Sequence, residues 1–229
     1  MSVTVRDLVR HRPLGIGLLT SGFDDRPLNW SHASDLDDPS PFLEPGQLLL
    51  TTGRQFTAYG TAADYAAYVE RLRGAGVVAL GFGTEVLRDG TPAELVAACE
   101  SAGLALVEVP YATPFIAVGR FIADRLAAEA RERLEWALAA QEAISKAVLG
   151  SGGLAAAVRS ASEALHGRVA VLDADGAVLE GGAPAWLRTR ALELLRRGNR
   201  ARDHGDEEGG VWLVQTLGRS GRLLGALAV

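Results

Sequence analysis

The spacing of apolar positions divides the chain into three stretches with different periods. From residue 1 to 112, short apolar runs alternate with helical patterns. Val3 to Arg10 reads as a short helix capped by Thr4, with Asp7 three residues later. Gly15 to Thr20 is a short apolar run, Leu28 to Ser31 reads as a strand, and Gln47 to Thr51 (QLLLT) as a buried strand. Residues 35–45 hold three prolines and three aspartates and read as a loop or irregular turn. From Thr61 to Arg73, the residues Tyr65, Tyr68, Val69 and Leu72 recur on one side of a helix, and Val77 to Phe82 is an apolar run bracketed by glycines. Thr91, Pro92 and Glu94 spell a helix start, with a Thr cap and Pro at the first helical position. Leu104 to Val109 is a strand stopped by Pro110. Strand, helix, strand, helix, strand with short links implies right-handed crossovers and a mainly parallel sheet. Residues 1–112 are therefore expected to form an α/β domain.

The second stretch, residues 113–150, has one helical period. Phe115, Val118, Ile122, Leu126, Ala130, Leu134, Leu138, Gln141, Ser145 and Val148 recur every three or four residues, and only Gly119 interrupts. A helix of this length, about 50 Å at 1.5 Å per residue, is expected to act as a connector whose stripe packs on a second copy of the chain. After the break at Gly150 to Gly153, a third stretch begins. Leu154 to His166 and Pro184 to Arg197 read as helices. Arg168 to Leu172 and Ala177 to Glu180 read as strands joined by an Asp-Gly hairpin turn at residues 173–176. Residues 198–210 read as a polar loop, and Val211 to Leu217 and Arg222 to Val229 as strands around the turn at 218–221. Residues 151–229 are thus expected to be an α+β domain on an antiparallel sheet. The last residues have the pattern of a core strand, so the chain reads as ending inside a domain.

Composition narrows the function. The chain has 229 residues, 48% hydrophobic and 22% charged, which suits a globular protein. Its net charge of −5 argues against unaided nucleic-acid binding, which needs clustered positive charge. The acidity is concentrated in residues 1–112, with 14 acidic and 8 basic groups. Lys146 is the only lysine, against 22 arginines. One cysteine, Cys99, excludes an intramolecular disulfide framework. No apolar stretch approaches the roughly 20 residues of a bilayer span, and the N-terminus lacks the apolar core of a secretory signal. A cytoplasmic protein without membrane partners is expected.

Candidate chemistry is sparse. Gly81-Phe82-Gly83 opens like a dinucleotide loop, but Val86 stands where the third glycine belongs. The four histidines, His11, His32, His166 and His204, show no ligand spacing, so neither a metal nor a cofactor is expected. His32 with Asp35, Asp37 and Asp38 can be read as an acid–base cluster, although Ser34 and the aspartates also suit turn capping. Cys99 reads as a buried small hydrophobe. Arg188, Arg190, Arg196, Arg197, Arg200 and Arg202 form a basic run that reads as a solvated face or as a nucleic-acid or anion-binding surface, and Trp186 and Trp212 read as core filling or as the lining of a pocket. Thr51, Thr52, Gly53 and Arg54 follow the buried strand at the carboxyl edge of the sheet, where open α/β sheets bind ligands. Two hydroxyls, a glycine and a guanidinium suit a polar planar or anionic ligand. Gly81, Phe82 and Gly83 end the neighbouring strand on the same edge and can share that pocket.

The stretch Asn29-Trp30-Ser31-His32-Ala33-Ser34-Asp35-Leu36-Asp37-Asp38-Pro39, followed by Phe42-Leu43-Glu44-Pro45-Gly46-Gln47-Leu48-Leu49-Leu50-Thr51-Thr52-Gly53, resembles the N-terminal domain of PucR-type purine catabolism regulators. Those show W-x-H-x-S-E-L-x-D-P and then F-L-x-x-G-E-L-L-L-T-T-G. Asp35 and Gln47 stand where Glu is usual. The resemblance implies the sensory part of a transcription regulator, a GAF-like module at 151–229, and a C-terminal helix-turn-helix that is absent from this chain. It further implies a small-molecule effector, a purine or purine-degradation product, bound at His32, Thr51 to Arg54 and Gly81 to Gly83. Homodimerisation is then expected through residues 113–150, with DNA reached only through the absent domain. Two other readings stand beside it: a metabolic enzyme using His32 and the Asp35/Asp37/Asp38 cluster, and a dimerisation module without ligand.

Overall fold

The computed structural model describes residues 3–56, 60–207, 210–219 and 222–229. Glu208 of the expected polar loop, and Ser220 and Gly221 of the last turn, lie outside the described residues. The chain forms two compact units, residues 1–132 and 133–229. Among the described residues, the strands form two five-stranded sheets.

The first unit is an α/β layer structure. Its strands are β1 (Gly17–Leu18), β2 (Trp30–Ala33), β3 (Gln47–Thr51), β4 (Ala79–Gly83) and β5 (Ala105–Val109), in the order β1-β5-β4-β3-β2. β2 to β5 are mutually parallel, and β1 runs antiparallel to β5. The sheet is mainly parallel because α2 (Ala62–Gly74) and α3 (Ala93–Ala102) carry the chain back between successive strands. α2 starts where the pattern placed it. Thr61 and Asp64 form a reciprocal cap, and Tyr65, Tyr68, Val69 and Leu72 are its buried residues. Hydrogen bonds from the Thr61 backbone and hydroxyl hold the Asp64 carboxyl below its usual range.

Two apolar layers cover the sheet. Leu48 and Leu50 join α1 (Val5–Arg10), Leu14, Ile16, Val107 and the opening turns of α4 (Phe115–Leu149) on one face. Leu49, Leu80, Phe82 and Leu106 join α2 and α3 on the other. Cys99 lies in that second layer, where burial pushes its thiol up to about 12, so it packs as a small hydrophobe.

Two local expectations are corrected. The strand expected at Leu28 to Ser31 is displaced to Trp30–Ala33, because Leu28 is tied to Val3 by its backbone N–H and buried in the core. Thr91 does not cap α3. Its hydroxyl donates to the Glu108 carboxylate at 2.8 Å, and Pro92 takes the cap position. At the start of α4, the Thr113 hydroxyl donates to the Leu14 carbonyl at 2.6 Å and so fastens the helix start to the core.

The second unit is α+β with an all-antiparallel sheet. Its strands are β6 (Ala170–Asp173), β7 (Val178–Gly181), β8 (Arg202–Glu207), β9 (Gly210–Arg219) and β10 (Arg222–Ala228), in the order β7-β6-β10-β9-β8. The helices are α5 (Gly153–Leu165) and α6 (Ala185–Arg196). α6 buries Leu187, Ala191, Leu194 and Leu195 against Trp212, Val214, Ala226 and Ala228. The hairpin between β6 and β7 closes as expected: Asp173 Oδ1 accepts from the backbone N–H of Asp175 and Ala177. The expected polar loop at 198–210 is overturned, since β8 occupies its second half. The sequence Arg-Asp-His-Gly-Asp-Glu carries no apolar alternation, but an edge strand needs only one partner, here β9, and its charges discourage a second.

The long stripe of α4 has two fates. Val118 and Ile122 are buried and Phe115 and Leu126 pack beside them, whereas Leu134, Leu138 and Val148 are 60%, 57% and 53% exposed. Lys146 pairs with Glu142 one turn earlier at 2.7 Å and is exposed. Ile122→Ala is expected to lower the stability of the first unit by about 2–5 kcal/mol. Leu138→Ala, at dilutions where the chain is monomeric, is expected to change stability by less than about 0.5 kcal/mol. Urea denaturation of the two variants checks the contrast.

Candidate functional site

The parallel strands of the first unit all end on one edge, and the loops leaving β2 and β3 meet there. Thr51, the last residue of β3, is fully buried, so its hydroxyl requires a partner inside the protein. Asp35, two residues past β2, supplies it. The Asp35 carboxylate accepts from the Thr51 hydroxyl at 2.8 Å, the Thr52 backbone N–H at 2.7 Å and the Thr52 hydroxyl at 2.7 Å. The Thr51 oxygen in turn accepts from the Gly53 N–H at 3.1 Å, and Gln55 Oε1 lies 3.0 Å from it. One carboxylate thereby ties the two loops together.

Gly53 is needed where it stands. Its φ is +75°, and a Cβ there would lie 2.6 Å from the ring of Phe82. Arg88 holds the loop from the far side by donating to the carbonyls of Gly53 at 3.1 Å and Phe56 at 3.2 Å. The loop from Thr51 to Phe56 is therefore pinned at both ends.

Beside this loop, on the α2 side of β3, lies a cavity of about 310 Å³. Asp37, Gln55, Phe56, Asp64, Tyr68 and Arg71 contribute to its walls. Phe56 and Tyr68 meet edge to face, with ring centroids 5.0 Å apart. Arg71 lies 5.7 Å over the Tyr68 ring and donates to the Asp37 carbonyl at 2.9 Å. Tyr68 is 1% exposed, and its hydroxyl lies beside the Gln55 and Thr51 side chains. Burial pushes the Tyr68 phenol well up, so it remains a hydrogen-bond donor at ordinary pH. Aromatic, amide and charged side chains share the walls of this cavity, a lining that suits a small polar ligand.

Of the residues singled out in the sequence, the structure brings Thr51, Thr52 and Gly53 together with Asp35. His32 is half-buried on β2, in register with Leu49, and does not line the cavity. Arg54 is exposed and likewise stands outside the cavity. Gly81, Phe82 and Gly83 are buried inside β4, and Phe82 serves as the floor under Gly53. Asp35 and Asp38 are engaged with loop groups, Asp38 through the Ser40 N–H at 3.0 Å. Among the described residues, no group of three or more His, Cys, Asp or Glu side chains is placed to hold a metal ion.

Gln55, Tyr68 and Arg71 were not legible as site residues. Tyr68 falls on the apolar face of α2 and counts there as core. The available signal was its hydroxyl, since a buried tyrosine calls for a partner.

Comparison with known proteins agrees with the N-terminal unit. The purine catabolism regulatory protein-like family matches residues 8–126, just over half of the chain, from α1 through β5 into the first part of α4. The chain is 31% identical over 122 residues to the transcriptional activator PmfR of Paenarthrobacter nicotinovorans, a match covering 53% of this chain. It spans 26%, about a quarter, of the length of that relative. No solved structure matches the chain. Among the described residues, no helix is long and apolar enough to cross a membrane.

Asp35→Ala leaves the Thr52 N–H and both hydroxyls without their charged acceptor. It is expected to destabilise the first unit by about 2 kcal/mol, read as a shift of the denaturant midpoint. An unchanged midpoint would show that the two loops do not depend on this carboxylate.

Proposed function

The chain belongs to the purine catabolism regulatory protein-like family, and on that footing we propose that its first unit is the effector-sensing part of a transcription regulator. The reading rests on one observation above all: the cavity beside the loop that leaves β3, walled by Asp37, Gln55, Phe56, Tyr68 and Arg71. The effector is a small metabolite, a purine or purine-degradation product. Gln55 and Phe56 wall the cavity from the loop that Asp35 fixes through Thr51 and Thr52 and that Gly53 turns over Phe82, whereas His32, Arg54, Gly81 and Gly83 stand outside its lining. Regulation requires that the effector bind two states of this unit with different affinity. The second unit is the GAF-like module, and DNA is contacted by another part of the regulator, in the cytoplasm. The transcriptional role of the PmfR relative supports this assignment.

The exposed part of α4 supports pairing of two chains. Leu134, Leu138 and Val148 continue the stripe in exposed positions on a helix whose opening turns are already packed, and such a strip favours burial against a second copy. No catalytic step is assigned: Asp35 is occupied in holding the loops, and the Cys99 thiol is buried.

Calorimetric titration of the folded chain with hypoxanthine, xanthine and allantoin is expected to give saturable heat with at least one of them. No heat with any would overturn this effector class. Sedimentation of the wild-type chain is expected to show a dimer, and Leu134→Asp combined with Leu138→Asp a monomer with unchanged far-UV circular dichroism. A monomeric wild type would overturn the pairing.

A further inference from the structure

The effector reading leaves a concentration of positive charge in the second unit unused. We infer that one end of the antiparallel sheet binds a compact, multiply charged anion through an oligophosphate group. This site stands by itself and does not depend on a ligand in the first unit.

The charge is gathered from two stretches. From Leu194 to Arg202 the sequence holds Arg196, Arg197, Arg200 and Arg202 and no acidic residue. From Gly210 to Val229 it holds Arg219 and Arg222 and again none. The sheet joins the two. Arg202 opens β8 in register with Gln215 of β9, and Arg219 and Arg222 are in register across β9 and β10. The Arg200 guanidinium donates to the Gly218 carbonyl at 2.6 Å, which sets the loop after α6 against the end of β9. A carbonyl orients a guanidinium without cancelling its charge. The acids that flank the first stretch, Glu193 and Asp203, both pair with Arg190, at 3.5 and 2.7 Å. Among the described residues, no carboxylate pairs with Arg200, Arg202, Arg219 or Arg222.

Where the stretches meet lies a cavity of about 460 Å³, whose walls include Arg200, Arg202, Gln215, Thr216 and Gly218. Among the described residues, its lining holds neither a carboxylate nor an aromatic ring. Thr216 is 4% exposed and accepts from the Ala201 N–H at 2.8 Å, so its hydroxyl fixes the wall. Gln215 is exposed and adds an amide donor to the two guanidiniums. Guanidinium forks match phosphate oxygens in geometry as well as in charge. An anion with a single charge answers one arginine, whereas two linked phosphates answer both, and Arg219 and Arg222 add to the field. With no ring to stack on, a nucleobase gains nothing here. A nucleic-acid backbone needs positive charge that continues along the surface. Here it stops, because Asp206 stands on β8 four positions past Arg202, about 13 Å at strand spacing.

The test is calorimetric titration of the full chain with pyrophosphate, inorganic phosphate and a mixed-sequence DNA duplex. Pyrophosphate is expected to bind saturably, at least tenfold tighter than phosphate, and more weakly as salt is raised. Arg202→Gln is expected to weaken pyrophosphate about tenfold, as loss of a charged hydrogen bond does, with the thermal midpoint unchanged because the residue is exposed. Arg188→Gln, near the start of α6 and outside the cavity lining, is expected to leave the affinity as it is. Equal weakening by the two variants would reduce the effect to general charge and overturn the site. Phosphate binding as tightly as pyrophosphate would overturn the oligophosphate class. Absence of saturable heat with pyrophosphate, or tighter binding of the duplex, would overturn the inference.

Discussion

Leu48 and Leu50 of β3 point into the layer made by α1 and the start of α4, while Leu49 points into the layer made by α2 and α3. This five-residue strand meets water on neither face, as is usual for a parallel sheet covered on both sides. Its position has a cost at the end. Thr51 is drawn into the interior with its hydroxyl, and that hydroxyl must be matched from nearby. Asp35 provides the match and in doing so fixes the loop that leads into α2. The loop so fixed carries Gln55 and Phe56 into the wall of the cavity beside α2. The packing of the sheet and the chemistry of its edge are one problem solved by a single carboxylate.

The elements of the first unit were legible because each carries its own period. QLLLT reads as a doubly buried strand, and the tyrosines of α2 mark its inner face. What lay beyond the sequence was partnership. Thr91 has every local feature of a helix cap, yet its hydroxyl goes to Glu108, which is remote in sequence and adjacent across the fold. Tyr68 reads correctly as buried, but burial in a pattern carries no information on whether the phenol is paired. β8 is polar throughout and becomes a strand only because β9 lies beside it. In each case local propensity described the segment, and a tertiary contact decided its role.

The family motif can now be translated into contacts. Asp35, where the family usually has glutamate, is the acceptor for both threonines of the Thr-Thr-Gly run, and the glycine that follows permits Phe82 to close beneath the loop. Trp30, by contrast, is exposed on β2, and its place in the motif is not explained by packing within the described residues. The motif is therefore chiefly a recipe for joining two loops at the sheet edge, with the cavity walls supplied by α2.

Arginine supplies nearly all the positive charge of this chain, and Lys146 alone carries a side-chain amine. That residue sits exposed in the last turn of α4, far along the same continuous helix whose opening turns are buried in the first unit. Among the side chains of this chain, amine-directed chemistry therefore finds one to modify, and it reacts alongside the more acidic backbone α-amine. A fluorophore or spin label attached there would report from the end of the helix without any engineered cysteine. The arginine bias leaves these 229 residues with a single side-chain amine, in the last turn of α4.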